Sequence, residues 1–267
     1  MTHSPLPKAA SLVLTLALAG CGAEDPPATA TDAEAETGAD TGGADTATDA
    51  GAESSTDTGA DAGPSCTSAR DTALGPIASV SVGVVSVVKE GGGVRTLYVD
   101  ASAGGSAAAK TNPWVYLDLT SGKRVDVDDK AALTSKSWDL ALKRPLLRSD
   151  SGDSGAGGGG AVFLKGKDFA TVTAADASAA TVSRERWFDD ACTLQTDATG
   201  AIKTTFDGWY EYDSATSKLT PAAGTWIVQG ADGKRRFKVA IETYYGNPDG
   251  TVGATSGRYV LQVGGLE

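Results

Sequence analysis

The chain has 267 residues, with 34 acidic and 23 basic side chains and a formal charge of −11. The imbalance is local: residues 22–65 hold 11 acidic side chains and no basic one, whereas residues 66–267 hold 23 acidic and 22 basic. The larger segment is therefore nearly neutral and lacks the basic excess needed to grip phosphate backbones, which excludes nucleic acid as a partner.

Residues 1–20 carry His3 and Lys8, an apolar run from Ala9 to Ala19, and a small-residue end. That is the layout of a secretory signal peptide. The run is too short to cross a bilayer, which takes about 20 apolar residues. Leu18-Ala19-Gly20-Cys21 resembles the lipobox of bacterial lipoproteins, which implies cleavage before Cys21, lipidation of its sulfur and attachment to a membrane. Gly22 follows the cysteine, so nothing there argues for retention at the inner membrane, and the outer membrane is the expected location, with the domain on its periplasmic side or at the cell surface. Residues 21–65 contain no aromatic, Ile, Leu, Val or Met side chain, so they cannot bury enough surface to fold and read as a disordered acidic tether.

Residues 66–267 read as one domain. Cys66 and Cys192 are the cysteines left once Cys21 is set aside. In an exported chain a pair of this kind is expected to form a disulfide, and two thiols without a histidine are too few for a closed zinc site. Ile77 to Val88 alternates valine with Ser and Gly and reads as a strand. Val94 to Ala101 follows after three glycines, and Trp114–Leu119 with Lys123–Val127 form a hairpin across Thr120-Ser121-Gly122.

In Trp138–Gly160, Trp138, Leu140 and Leu142 alternate with Asp139, Ala141 and Lys143, so one face is expected in the core and the other toward water or a ligand. Pro145 cannot donate to a ladder, so the strand is expected to lie at an edge, bulge or break there. The loop from Ser149 to Gly160 is rich enough in glycine for its backbone to approach another surface closely. Residues 160–164, 209–212, 226–229, 236–245 and 259–263 read as further strands, with a hairpin turn at Ala231-Asp232-Gly233 and a short helix or loop over 170–180. No stretch sustains a helical period, so the expected class is all-β: antiparallel sheets with long glycine-rich loops.

The Trp-Asp-hydrophobic-Ala-hydrophobic strand and its glycine-rich loop resemble the HmuY family of bacterial surface lipoproteins. WVYLDLTSGKRV before it, and WYEYDSATSKLTP and DGKRRFKVAIETYYG after it, look like further strands of that family over about residues 76–265. The resemblance implies an all-β haemophore that holds haem through His or Met side chains. The sole histidine here is His3 and the sole methionine Met1, so the ligation chemistry does not carry over. The resemblance puts Lys143 near one ligand position, and lysine binds iron only when deprotonated, against an ordinary pKa of about 10.4.

Lys143, Arg144 and Arg148 are candidates for contacting haem propionates in place of iron coordination, and Trp209 and Tyr210, adjacent and unable to share one core face, for an accessible aromatic platform. That platform suits a tetrapyrrole, a glycan or a protein partner. Catalysis finds no support. Gly152-Asp153-Ser154-Gly155 imitates the surroundings of a nucleophilic serine, but residues 66–267 supply no histidine to deprotonate it. Asp126, Asp128 and Asp129 lack the spacing of a calcium loop and read as a solvated turn.

Overall fold

The computed structural model describes residues 66–197 and 200–266. The signal peptide, the Cys21 lipidation site and the whole acidic tether, residues 21–65, lie outside the described residues. Twelve strands form three antiparallel sheets among the described residues. The largest comprises β1 (Val85–Gly91), β2 (Val94–Asp100), β7 (Gly160–Lys165), β10 (Gly224–Gln229), β11 (Arg236–Thr243) and β12 (Arg258–Leu266), in the order β1-β2-β12-β11-β10-β7. The second is β4 (Lys123–Val125), β3 (Val115–Asp118), β5 (Leu140–Lys143) and β6 (Leu146–Ser149), in that order, and β8 (Tyr210–Asp213) pairs with β9 (Lys218–Pro221).

The two larger sheets share one core. Leu97 and Val99 of β2, Trp226 and Val228 of β10, and Leu261 and Val263 of β12 pack with Val115 and Leu117 of β3 and Leu140 and Leu142 of β5. Alternation explains both sides of the smaller sheet. Odd-numbered β3 residues enter the shared core, while Tyr116, with Trp114 just before the strand, joins Trp138 and Ala141 in a second cluster on the opposite face. The mainly-β expectation therefore holds, and both hairpins pair as the sequence indicates: β3 with β4 across Thr120-Ser121-Gly122, and β10 with β11 across the 231–233 turn.

Several expectations need correction. The strand placed over 77–88 enters the ladder only at Val85. Before it, the Val80 segment bridges Asp128, and a side chain at Gly83 would lie 2.3 Å from the Asp100 carbonyl, so this stretch is wedged beside the smaller sheet. The second face of β5 does not meet water: Asp139 and Ala141 are buried and Lys143 alone is half-exposed. Asp129 is no solvated turn residue either. It is 2% exposed and accepts from the Trp114 and Ile77 amides and the Tyr116 hydroxyl, while Asp128 caps α2 (Asp129–Ala132). Helix α1 (Thr67–Leu74) was not anticipated; the ambiguous 170–180 stretch forms a short 3₁₀ turn and α3 (Ala174–Ala179). Cys66, which precedes α1, is bonded to Cys192.

Candidate functional site

Lys143 closes β5, and Arg144-Pro145 reverse the chain into β6, which lies at the edge of its sheet. The strand thus breaks at Pro145, where no ladder donor exists. Arg144 adopts φ 52°, a left-handed conformation that costs free energy in a residue with a Cβ and persists only when the surroundings impose it. Four hydrogen bonds supply that imposition. The Arg144 amide donates to Ala101 O at 2.8 Å and its guanidinium to Ser256 Oγ at 2.9 Å. The Tyr259 hydroxyl donates to Arg144 O at 2.6 Å, and Trp209 Nε1 to Pro145 O at 2.8 Å.

The pinned turn forms one wall of a groove of ≈ 440 Å³. Trp114, Pro145, Leu146 and Ile202 supply apolar lining, Lys110, Lys143 and Arg144 supply positive charge, and the C-terminal end of α1 forms the opposite wall. The Lys143 ammonium lies 6.0 Å from the centre of the Trp114 ring. Burial, the dominant cause, lowers the Lys143 pKa; Asp129 raises it and Arg148 lowers it further.

Arg148 stands behind Trp114. It is 1% exposed, and its guanidinium carbon lies 4.3 Å from the Trp114 ring centre and 5.6–5.8 Å from those of Tyr116, Trp138 and Trp187. One nitrogen donates to the Tyr116 hydroxyl at 2.8 Å, which in turn donates to Asp129. Nε and Nη1 have no protein partner, so this buried cation is held mainly by ring faces. The expectation that Arg148 meets propionates at the surface is thereby corrected, because four aromatic rings enclose it.

The glycine-rich loop is likewise an interior structure. It wraps the buried Asp150, whose carboxylate accepts from the Gly157 amide at 2.9 Å. A Cβ at Gly155 would lie 2.1 Å from Asp150 Oδ1, and one at Gly157 2.7 Å from Oδ2, so glycine is required by close approach to this chain itself and not to a partner. Burial pushes the Asp150 carboxyl up to about 7, against the opposing pull of the Gly157 amide and of Arg148. Glu185, also raised by burial, accepts from Ser149, Thr205 and Trp187 and so ties the loop to its neighbours. Ser154 is fully buried, which removes any resemblance to an exposed nucleophile.

Trp209 is 3% exposed and therefore is not a platform. It packs with Tyr210, Tyr244 and Tyr259 at centroid separations of 4.9, 5.7 and 5.5 Å, and the half-buried Tyr210 covers it from the otherwise exposed β8. Adjacent aromatics share one cluster here because Trp209 precedes the strand and is freed from its alternation. The sequence reading thus finds Lys143 and Arg144 in the groove and misses Trp114, Lys110, Leu146 and Ile202. Trp114 carried a signal: it shares the parity of Tyr116, opposite the shared core.

These features define a mainly-β protein that presents a cationic, aromatic-lined groove at a rigid hairpin turn; among the described residues no cluster of His, Cys, Asp and Glu is arranged to hold a metal ion, and no helix is long and apolar enough to cross a membrane. The HmuY protein family matches residues 110–259, and the chain belongs to that family. Among solved structures it is similar to a protein of Bacteroides fragilis described as a lipoprotein, at 14% identity and a TM-score of 0.39 over 69% of this chain and 94% of that one. It is also similar to apo PinO from Porphyromonas gingivitis, at 12% identity and a TM-score of 0.39 over 69% and 96% of the two chains. No curated protein matches the chain significantly.

Proposed function

We propose that the chain is a non-enzymatic lipoprotein of the bacterial cell envelope, anchored through Cys21, that takes a haem or related tetrapyrrole into the groove beside the β5–β6 turn for iron acquisition. The observation carrying this reading is the pairing of a half-exposed apolar wall, Pro145, Leu146 and Ile202, with Lys110, Lys143 and Arg144 in one groove. A porphyrin has an apolar plane that suits the Pro145, Leu146 and Ile202 side and two carboxylates that suit Lys110 and Arg144. The groove falls within the size range of small-molecule sites, about 300–1,000 Å³. Family membership supports the class of protein.

The donor set departs from imidazole or thioether ligation, since His3 and Met1 are the sole residues of their kinds in the chain. Among the described residues Lys143 is the one amine whose pKa burial lowers, and it is the residue we assign to the iron. Hemin titrated into the wild type and into Lys143→Ala at pH 7 and pH 9 tests the reading. We expect a Soret shift in the wild type that strengthens at pH 9 and a weaker, pH-independent one in the variant. A low-spin spectrum unchanged by the substitution would show ligation elsewhere.

The missing histidine and methionine favour a second reading, an interaction lipoprotein that kept the frame without haem and uses the same groove on a protein or glycan. Absence of any hemin-induced spectral change in the wild type would select it.

A further inference from the structure

Helix α1 borders the groove at Lys143 without being packed into the core. None of its residues is buried, and among the described residues the hydrogen bonds of Ser68 to Gly75 stay within residues 66–75. Open space flanks it on both sides. One side faces the groove at Lys143, and the other faces a space of ≈ 610 Å³ lined by Ala69, Leu194 and the two bonded cysteines. Thr72 and Ala73 line both, so the helix is a partition between them.

The helix is fastened at its two ends. At the C-terminal end Gly75 adopts φ 49°, a left-handed conformation that closes the helix, and a Cβ there would meet nothing within 4 Å. Two residues on, the Ile77 amide donates to Asp129 Oδ2 at 3.3 Å and the Ile77 carbonyl accepts from the Asp129 amide at 3.0 Å, which anchors the chain to a buried residue. At the N-terminal end the Cys66–Cys192 bond ties the helix to a turn that is built without it. In that turn Asp189 Oδ1 accepts from the Ala191 and Thr193 amides at 2.9 and 2.8 Å, and the Cys192 amide donates to Asp189 O at 3.0 Å. Both cysteines are only partly buried and line the ≈ 610 Å³ space, so a small thiol can reach the bond.

We propose that α1 is a redox-released strap: reduction of the Cys66–Cys192 bond by a dithiol frees the helix and opens the groove at Lys143. A thiolate of the reductant attacks one sulfur and the S–S electron pair leaves on the other. The second thiol then resolves the mixed disulfide, the reductant ends as a disulfide, and its two protons pass to Cys66 and Cys192. The cut strap is 8 residues long. An isolated helix shorter than about 12–15 residues is marginal in water, so the freed segment unwinds toward the Ile77 anchor and the groove loses that wall.

The test is hydrogen exchange of the purified full chain, oxidised and in dithiothreitol, read by mass spectrometry. Amides of residues 68–75 are expected to exchange about tenfold or more faster after reduction, while those of β11 and β12 keep their protection. Lys143 is labelled in parallel with an acetylating reagent in the oxidised chain and in Cys66→Ser, with the exposed Lys89 of β1 as internal reference. Cys66 is the N-cap of α1 and serine is favoured there, so this substitution removes the cross-link without weakening the helix at its cap. Labelling of Lys143 relative to Lys89 is expected to rise severalfold in the variant. Unchanged exchange over 68–75, or unchanged labelling of Lys143, would overturn the inference. So would loss of protection in β11 and β12, since the bond would then hold the whole domain and not the strap. Neither readout uses a ligand, so a failure of hemin to bind would count against the tetrapyrrole reading and leave this result standing.

Discussion

Replacing Asp150 with asparagine is expected to change how stability depends on pH, because this carboxyl is enclosed by the glycine-rich loop and lifted by burial from 3.8 to about 7. The sign follows from proton counts. Between about pH 4 and pH 7 the unfolded chain has released the proton and the folded chain retains it, so the folded state binds more protons and loses stability as pH rises. Below that window the contribution is absent, and above it the full penalty applies. A shift of about three units at about 1.36 kcal/mol each gives a penalty on the order of 4 kcal/mol above pH 7, an upper figure because relaxation and water entry soften it.

Asparagine keeps the shape and the oxygen that accepts from Gly157, and it does not titrate. Urea denaturation followed by tryptophan fluorescence at pH 4.5 and pH 8 provides the readout. The raised Glu185 carboxyl titrates in both proteins and cancels in the comparison, whereas Asp139, whose charge repels that of Asp150, is relieved in the variant, a change of the same sign. The difference, variant minus wild type, is expected to move in the variant's favour by about 2–4 kcal/mol between the two pH values. Parallel pH profiles would refute the reasoning, since they would mean that Asp150 titrates alike in the folded and unfolded chain.

Gly157→Ala, whose new methyl would press on the Asp150 carboxylate, is expected to destabilise by about 1–3 kcal/mol in denaturant titrations at pH 7. Cys192→Ser removes a cross-link spanning 126 residues and is expected to cost about 2–5 kcal/mol, visible as a lower melting temperature that reductant lowers no further. Trp209→Phe deletes the indole bond to Pro145 O and is expected to cost about 1 kcal/mol while weakening hemin binding at the turn; unchanged hemin affinity would separate Trp209 from the groove. Cys21→Ser is expected to release the protein from the membrane fraction of fractionated cells; unchanged membrane association would reject lipidation.

Most strands and both hairpins were legible because period-two alternation and Gly turns are local signals. Val115 and Leu117 against Trp114 and Tyr116 is such a pattern, and it predicts opposite faces correctly. Alternation does not tell what covers a face. The second side of β5 reads as water-facing because Asp139 is charged, yet its carboxylate is spent inside the protein on the amides of Leu119 and Ala231, 20 and 92 residues away. The glycine run invites the same error: glycine signals close approach, and only the fold shows that the approaching group is Asp150 of the same segment. Trp209 and Arg148 were misplaced for a related reason, since an amphipathic side chain looks like a surface ligand contact until its partners, here Pro145 O and four rings, are brought up from distant parts of the chain.

Arg148 decides whether this interior is a charge network or an apolar core with one cation in it. Its ring contacts are worth about 0.5–2 kcal/mol each, the longer ones at the low end, and its bond to Tyr116 about 1.5–3 kcal/mol, while removing a guanidinium from water costs several kcal/mol. These nearly offset, so Arg148→Met, which keeps the volume, is expected to cost little where Asp150 is protonated. At pH 8 the balance differs. Asp150 must then ionise without the cation that holds its pKa down, and its carboxylate already has one oxygen without a protein partner. Arg148→Met is therefore expected to destabilise more at pH 8 than at pH 5 by about 1 kcal/mol or more, the scale of one pKa unit. Adding Asp150→Asn should erase that difference. Equal costs of Arg148→Met at the two pH values would show that the guanidinium and the carboxylate do not sense each other, and that the rings alone hold Arg148 in place.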